Sequence, residues 1–339
     1  MQKLGLWSLL LIGSLLMLAG CGSSDSEASG DGGSGGDSQE LRLAHNLSED
    51  HPVHKALEKF ASGVDEKTNG EVTVKIFANG VLGSEKEVLE QLQSGAIDMT
   101  KVSAGALESF SNEYSVFSLP YIFESKDHYR KVMESDVVQE IYQSTEDKGF
   151  VGLTYFDSGA RSFYTKDTPI QTPADLEGLK IRVMDSPTAI QMVELLGGTP
   201  TPMPYGEIYT ALQQGVVDGA ESNPTALTTG KHGEVAKAFS RNEHTMIPDI
   251  AIISKQTWDS LSDEQKTAFE EAAKEATEYH TEIWNKAMEE AVAEAKEMGV
   301  EFNDVDKEPF IEAVQPMHEE FKEDDRIAEI MEQIKSLTE

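Results

Sequence analysis

The sequence predicts an α/β protein built from two similar lobes, each with a mostly parallel sheet covered by helices. Between residues 41 and 102 the hydrophobic pattern alternates between strand and helix, as in a doubly wound sheet. The segment VLEQLQSGAIDM at 88–99 then recurs as IYTALQQGVVDG at 208–219. Because ligands of open α/β sheets bind at the carboxyl ends of strands, we expect a ligand cleft between the lobes.

The first half of the chain predicts three strands separated by two helices. The predicted elements are, in order, a strand ending at Asn46, a helix from His51, a strand over 72–76, a helix from Ser84 to Gly95 and a strand over 96–102. Ser84 and Glu87 form a capping box at the start of the second helix, and Gly95 suits its end.

The second half repeats this plan. A strand over 179–183 is followed by Ser186-Pro187, which suits the N-cap and first position of a helix, and then by the repeated unit. This shared order argues against a chance similarity of two amphipathic helices. From Ser262 to Met298 apolar residues recur at helical spacing, which predicts a long helix or helix pair across both lobes. The small alanines and the absence of a sustained heptad argue against a coiled coil.

The N-terminal residues have the pattern of a lipoprotein signal. Lys3 precedes an apolar run from Leu4 to Ala19 that is short for a membrane span. Small residues then precede Cys21, as the lipoprotein-processing peptidase requires. We expect residues 1–20 to be a signal peptide and residues 21–38 a flexible tether, with a lipid on Cys21 that holds the protein at the outer face of the cell membrane. The alternative is a plain transmembrane anchor with a chance cysteine.

Composition excludes several classes of function. The 61 acidic and 28 basic residues give a formal net charge of −33, which repels nucleic acid, so no nucleic-acid partner is expected. Cys21 is the only cysteine, which leaves no thiol site. Hydrolase, zinc-peptidase and phosphate-loop motifs are absent from the sequence, so we expect neither enzymatic activity nor a cofactor. His51 and His54 are predicted to be solvated surface residues rather than metal ligands.

Three cations occupy unusual places for charged residues. Arg182 lies in the apolar strand 179–184, where a guanidinium is costly unless it meets an anion or a carboxylate partner. Its planar fork suits bidentate capture of a carboxylate. Arg161 lies in a glycine-containing loop, and Lys101 ends the corresponding strand of the first lobe. The alternatives are salt bridges to internal acidic residues and, for Lys101, a surface position.

Several longer motifs resemble the extracytoplasmic solute receptors of TRAP transporters, the DctP-type family. They are LEGLKIRV at 176–183, PTPMPYGEIYTALQQGVVDGAE at 200–221, LGSE at 82–85, FSLPY at 117–121 and HTMIPD at 244–249. The similarity runs from about residue 40 to about residue 330. It implies a two-lobed, periplasmic-binding-protein-like fold (type II-like) joined by crossing strands and a long helix. On this plan lobe I comprises residues 39–158 and 248–287, and lobe II comprises 159–247 and 288–339.

The resemblance also implies a set of ligand-binding residues. In this family the arginine of the Leu-Lys-x-Arg strand, here Arg182, grips the substrate carboxylate, and the arginine of the glycine-containing loop, here Arg161, assists. Tyr205 would line the pocket. An asparagine that contacts the carboxylate falls on Ser222 in a gap-free reading, with Asn223 next to it. The positions that match the ligand wall of lobe I are Asn46, Glu85 and Ser103, of which the last two would read hydroxyls or the far end of the ligand.

The function implied is that of a monomeric binding protein, which captures a carboxylate-bearing solute and delivers it to the TRAP membrane permease. A sugar acid such as a uronate is favoured, because the NLSEDHP loop at 46–52 and Ser103 resemble the sugar-acid branch of the family. A four-carbon dicarboxylate is the alternative ligand, with Lys101 as a partner for its second carboxylate. The sequence is also compatible with a receptor for another organic acid, a ligand-sensing lipoprotein for a membrane kinase, or a cell-surface enzyme.

Overall fold

The computed structural model describes residues 38–338. The predicted signal peptide, Cys21 and residues 21–37 of the predicted tether lie outside the described residues. Within the described range, every helix is too short or too polar to cross a membrane.

Strands and helices alternate along the described chain. The strands are β1 (Gln39–Ala44), β2 (Val72–Phe77), β3 (Met99–Ser103), β4 (Phe150–Phe156), β5 (Arg161–Thr165), β6 (Lys180–Val183), β7 (Thr199–Pro202), β8 (Gly219–Ser222), β9 (Ala238–Thr245), β10 (Asp249–Ser254) and β11 (Glu301–Asp304). The α-helices are α1 (Pro52–Lys67), α2 (Glu85–Gln93), α3 (Ala104–Leu107), α4 (Lys126–Met133), α5 (Asp136–Gln143), α6 (Pro187–Leu195), α7 (Ile208–Gln214), α8 (Thr225–Thr228), α9 (Lys255–Ser260), α10 (Asp263–Glu297), α11 (Glu308–Phe321) and α12 (Asp325–Ser336). Short 3₁₀ helices lie at Asn112–Ser118, Glu146–Lys148, Pro173–Leu176, Tyr205–Glu207 and His232–Glu234.

The strands form two sheets, one in each lobe. Lobe I has the five-stranded sheet β2-β1-β3-β10-β4, and lobe II has the six-stranded sheet β11-β9-β5-β8-β6-β7. The units β1 to β3 and β6 to β8 are parallel, whereas β10 and β5 run antiparallel to their neighbours. The chain crosses from β4 to β5 and returns from β9 to β10. The predicted two-lobed α/β fold with crossing strands is confirmed.

The internal repeat has a structural basis in both lobes. Gly95 and Gly215 each follow a helix with φ of +73°, a conformation that favours glycine. The repeated aspartates then accept a backbone N–H of the neighbouring strand. Asp98 Oδ2 accepts from Arg42 and Asp218 Oδ2 accepts from Lys180, each at 2.9 Å. The helix stop and this carboxylate fix the register of the same strand pair in each lobe, which explains why these residue types recur.

The long helix α10 spans 35 residues and touches both lobes. It begins at the capping box of Ser262 and Gln265. Its buried alanines pack against α1 and β4 in lobe I, and its later turns contact α8 in lobe II. The predicted helix across both lobes is therefore confirmed, as one long helix and not as a helix pair.

On one side of the cleft the two lobes share a continuous core. Val102 from lobe I and Val183 from lobe II belong to one buried cluster, which also contains Phe310 of α11 and Ile330 of α12. Helix α11 contacts α6, while α12 contacts α5 and the 3₁₀ helix Asn112–Ser118. The predicted residue boundaries of the lobes stay a prediction.

Candidate functional site

A small cavity of about 50 Å³ lies between the lobes, beside the carboxyl ends of the parallel strands. It is continuous with an outer groove of about 530 Å³, since both are lined by Asn46, Glu85, Arg182, Met184 and Tyr205. Every ligand-binding residue predicted from the sequence lines the cavity, namely Asn46, Glu85, Lys101, Ser103, Arg161, Arg182, Tyr205, Ser222 and Asn223. The structure therefore brings together residues that lie as far apart as 46 and 223 in the sequence.

Arg161 is held by an internal carboxylate. Its Nε and Nη2 donate to the two carboxylate oxygens of Glu221 at 2.6 and 2.7 Å, and Nη2 also donates to the Glu221 carbonyl at 2.7 Å. Burial alone would raise the pKa of Glu221, but the charge of Arg161 and hydrogen bonds from His244 and Arg161 outweigh it and lower the pKa to about 2. The salt-bridge alternative thus holds for Arg161.

Arg182 has no such partner. It is only 4% exposed, and its Nε and Nη2 both donate to the carbonyl oxygen of Met203, at 3.0 and 2.8 Å. Within residues 38–338 no carboxylate lies within ion-pair distance of its guanidinium. Burial lowers the pKa of Arg182 and the charge of Arg161 lowers it further, against the opposing effect of Glu221. An arginine keeps its proton nevertheless, so a buried positive charge lines the cavity.

The two arginines leave the same nitrogen unused. Nη1 of Arg161 and Nη1 of Arg182 make no hydrogen bond to any residue in the described part of the chain. Both side chains line the cavity. A carboxylate placed there can accept charge-assisted hydrogen bonds from both.

Asn223 is fixed beside this pair. Its Nδ2 donates to the carbonyl oxygen of Ser158 at 2.7 Å, and its Oδ1 accepts from the backbone and hydroxyl of Thr225 at 2.8 and 2.6 Å. The hydroxyl of Ser222 makes no hydrogen bond to another described residue. Asn223 retains a second N–H and Ser222 retains its hydroxyl for a ligand. Which of the two contacts the carboxylate stays a prediction.

The wall formed by lobe I is built around Lys101, which is 1% exposed. Its Nζ donates to Asn46 Oδ1 at 3.1 Å and to Asp249 Oδ1 at 3.2 Å, and lies 3.8 Å from Glu85 Oε1. The backbone N–H of Ser103 donates to the same Glu85 oxygen at 3.0 Å. The surface alternative for Lys101 is therefore wrong. Two carboxylates surround one ammonium group, so this wall presents acceptor oxygens to the cavity.

Tyr205 closes the cavity towards the groove. It lies in the 3₁₀ helix Tyr205–Glu207, is half-buried, and its ring centre lies 5.4 Å from that of His232. Burial raises the pKa of its hydroxyl to about 12, so the hydroxyl stays protonated at neutral pH. With Met184 it supplies an apolar surface opposite the polar wall.

Sequence reasoning missed Asp249 and misplaced two histidines. The prediction that His51 and His54 are solvated is wrong, because they are 4% and 8% exposed. Helix α10 covers His51 with Trp284, whose ring centre lies 5.9 Å away, and His54 Nδ1 lies 2.9 Å from His45 Nε2. Asp249 begins β10, and in the sequence it was identified only as the last residue of the HTMIPD motif. In residues 38–338 no group of His, Cys, Asp or Glu side chains is arranged to hold a metal ion.

Buried neutral histidines predict a loss of stability in mild acid. Burial, with a smaller effect of nearby cations, lowers the pKa of His45, His232 and His280 from 6.5 to about 3. The unfolded chain therefore binds more protons below about pH 6.5. Each histidine should lower the free energy of unfolding by up to about 1.4 kcal/mol per pH unit between about pH 6.5 and 3. Urea denaturation at about pH 7.5 and 5 measures this.

His280→Phe provides the matched comparison for that prediction. The Nε2 of His280 has no hydrogen-bond partner among the described residues, and its ring packs on Phe156 and Trp284. The variant should be at least as stable at about pH 7.5 and should lose less stability on acidification. An equal loss in both proteins would contradict the assignment.

The chain is similar to bacterial solute-binding proteins of one family. Residues 43–324 match the family described as bacterial extracellular solute-binding protein, family 7, or DctP. The chain is 40% identical to a TRAP periplasmic solute-binding protein of Anaerococcus prevotii DSM 20548 solved with bound α/β-D-glucuronate, with a TM-score of 0.87 over 88% of this chain and 98% of that one.

Two further relatives bear on the ligand. A TRAP periplasmic solute-binding protein of Xanthobacter autotrophicus Py2, solved with bound β-D-galacturonate, is 37% identical, with a TM-score of 0.85 over 87% of this chain and 99% of that one. The C4-dicarboxylate-binding periplasmic protein DctP of Rhodobacter capsulatus is 34% identical over 240 residues, which are 70% of this chain and 72% of the relative.

Proposed function

Because the chain belongs to the DctP family of bacterial extracellular solute-binding proteins, family 7, we propose that it captures a uronate outside the cytoplasm and delivers it to the membrane permease of a TRAP transporter. The family predicted from the motifs at 176–183 and 200–221 is confirmed. The observation that carries the proposed ligand class is Arg182, a buried guanidinium with no carboxylate partner among the described residues.

The proposed mechanism is capture of the carboxylate by lobe II followed by closure of lobe I. Arg182 and Arg161 direct their unused Nη1 nitrogens to the ligand carboxylate, and Asn223 or Ser222 adds a third donor. Closure excludes water, which strengthens these charge-assisted hydrogen bonds. Because the closed form makes more contacts with the ligand than the open form, binding shifts the population towards closure.

The wall of lobe I favours a uronate over a four-carbon dicarboxylate. The alternative ligand needed Lys101 for its second carboxylate, but Lys101 is already paired with Asp249 and lies close to Glu85. A second ligand carboxylate would therefore meet two carboxylates, whereas the hydroxyls of a sugar can donate to them. The relatives with bound glucuronate and galacturonate support this choice.

The lipid anchor completes the proposal. Cys21 after a short apolar run would carry the lipid, and the Gly-, Ser- and Asp-rich residues 22–38 would let the receptor reach its permease. Because the tether raises the effective concentration of receptor at the membrane, delivery would not depend on diffusion from bulk solution.

Calorimetric titration with a small panel of ligands tests the proposal. D-Glucuronate and D-galacturonate should bind at least about 30-fold more tightly than D-glucose, which lacks the carboxylate, because truncating one partner of a buried charge pair costs about 2–5 kcal/mol. They should also bind more tightly than succinate or malate. Tighter binding of a dicarboxylate, or equal binding of D-glucose, would overturn the uronate assignment.

A further inference from the structure

A chain of hydrogen bonds crosses from lobe I to lobe II along one side of the cavity. His51 is the N-cap residue of α1 in lobe I, and its Nε2 lies 3.1 Å from Oγ1 of Thr225, the first residue of α8 in lobe II. The Thr225 hydroxyl lies 2.6 Å from Oδ1 of Asn223. His51, Thr225 and Asn223 all line the cavity and all are at most 5% exposed.

The direction of each hydrogen bond follows from its neighbours. The backbone N–H of Val53 donates to Nδ1 of His51 at 3.2 Å, so the proton of the neutral ring lies on Nε2. Nε2 then donates to Thr225 Oγ1, and the Thr225 hydroxyl in turn donates to Asn223 Oδ1. Burial, aided by the charge of Lys101, holds the pKa of His51 well below its usual value, which keeps the ring neutral.

Three contacts determine which way the amide of Asn223 faces, and the one from the Thr225 hydroxyl belongs to this chain. Its Oδ1 is occupied by two donors from Thr225, and its Nδ2 donates to Ser158. The remaining N–H is then available to the cavity. A flipped amide would present an oxygen to a ligand carboxylate, which is repulsive.

We propose that His51 is a positioning residue for the ligand: through Thr225 it holds the N–H of Asn223 towards the carboxylate, and it can do so only when the two lobes are in contact. The inference rests on the proposed function, because it needs a carboxylate in the cavity. Opening of the cleft separates His51 from Thr225 and so weakens the hydrogen bond from Asn223 to the ligand carboxylate. His51 therefore couples closure to retention of the ligand, and its loss should speed ligand release more than it slows capture.

His51→Phe tests this role, because it keeps a ring against Trp284 and removes the donor. In stopped-flow measurements on the full chain with D-galacturonate, we expect koff to rise about tenfold and kon to change less than twofold. Thr225→Val should have the same effect, and the double variant should be no worse than either single variant. His51→Gln, whose amide can reach Thr225, should restore koff in part.

His54→Phe is the matched control. His54 is buried on the same helix and hydrogen-bonded to His45, but it does not line the cavity. It should lower the melting temperature and leave koff unchanged. An unchanged koff in His51→Phe, or additive effects of His51→Phe and Thr225→Val, would overturn the positioning role. If the wild type binds succinate instead of a uronate, the proposed uronate ligand is wrong. Measuring koff for succinate in the wild type and in His51→Phe then decides the role of His51.

Discussion

Arg182→Met is expected to weaken uronate binding by at least about 30-fold and to leave the ligand-free protein about as stable as the wild type. The loss follows because the guanidinium is the buried cation that lacks a carboxylate until the ligand arrives. The stability of the ligand-free form is preserved because the variant removes an unpaired buried charge, which offsets the two hydrogen bonds lost at Met203. Calorimetric titration and thermal denaturation measure the two quantities.

Lys180→Met is the matched control for this variant. Lys180 lies two residues earlier on the same strand, β6, and is exposed. It should retain wild-type affinity, because it does not line the cavity. Wild-type affinity in Arg182→Met would exclude the carboxylate site described above. A large loss of stability in the ligand-free variant would show instead that Arg182 is structural.

Glu221→Leu is expected to destabilise the fold by about 3–5 kcal/mol, because it leaves Arg161 as an uncompensated buried charge. Glu221 is 1% exposed and also accepts a hydrogen bond from His244 Nε2 at 3.3 Å. Since its pKa is lowered from 4.5 to about 2 in the folded state, this contribution is fully present above about pH 4.5 and is lost as the pH falls towards 2. Chemical denaturation at neutral pH measures the loss.

A double-mutant cycle separates the ion pair from packing. The variant Arg161→Met with Glu221→Leu removes both charges and should recover a large part of the stability lost in Glu221→Leu. Glu194→Leu, which removes an exposed carboxylate from α6, should change stability by less than about 0.5 kcal/mol. If the two substitutions were simply additive, Glu221 would not be compensating the charge of Arg161.

Local patterns and the motif resemblance were sufficient to predict the repeat, the long helix and nine of the residues that line the cavity. Strand and helix periodicity located Arg182 and Lys101 on strands, and the motif resemblance located Asn46 and Tyr205. No local pattern showed which of the two arginines, Arg161 or Arg182, would pair with an internal carboxylate. Both are arginines beside small or apolar residues, and their different partners depend on where Glu221 of β8 lies in the folded sheet.

The positions of His51 and Asp249, which the sequence did not reveal, depend on contacts between distant segments. His51 is buried because Trp284 of α10, more than 200 residues later, covers it. Asp249 reaches the cavity because β10 returns from lobe II and inserts between β3 and β4, beside Lys101. Neither contact has a periodic signature in the sequence, so His51 was predicted to be solvated and Asp249 was assigned no role in the site.

The pairing of charges around the cavity makes the cleft an electric dipole. On the lobe II side, Arg161, Arg182 and Glu221 sum to +1, and on the lobe I side, Lys101, Asp249 and Glu85 sum to −1. On the proposed binding mode, a sugar monoanion is therefore turned before the lobes meet, with its acid end towards lobe II. The reverse orientation would place like charges together in a space with little water. On this binding mode, discrimination between sugar epimers is left to the acceptor oxygens of lobe I, because the acid end of the ligand is already fixed in direction.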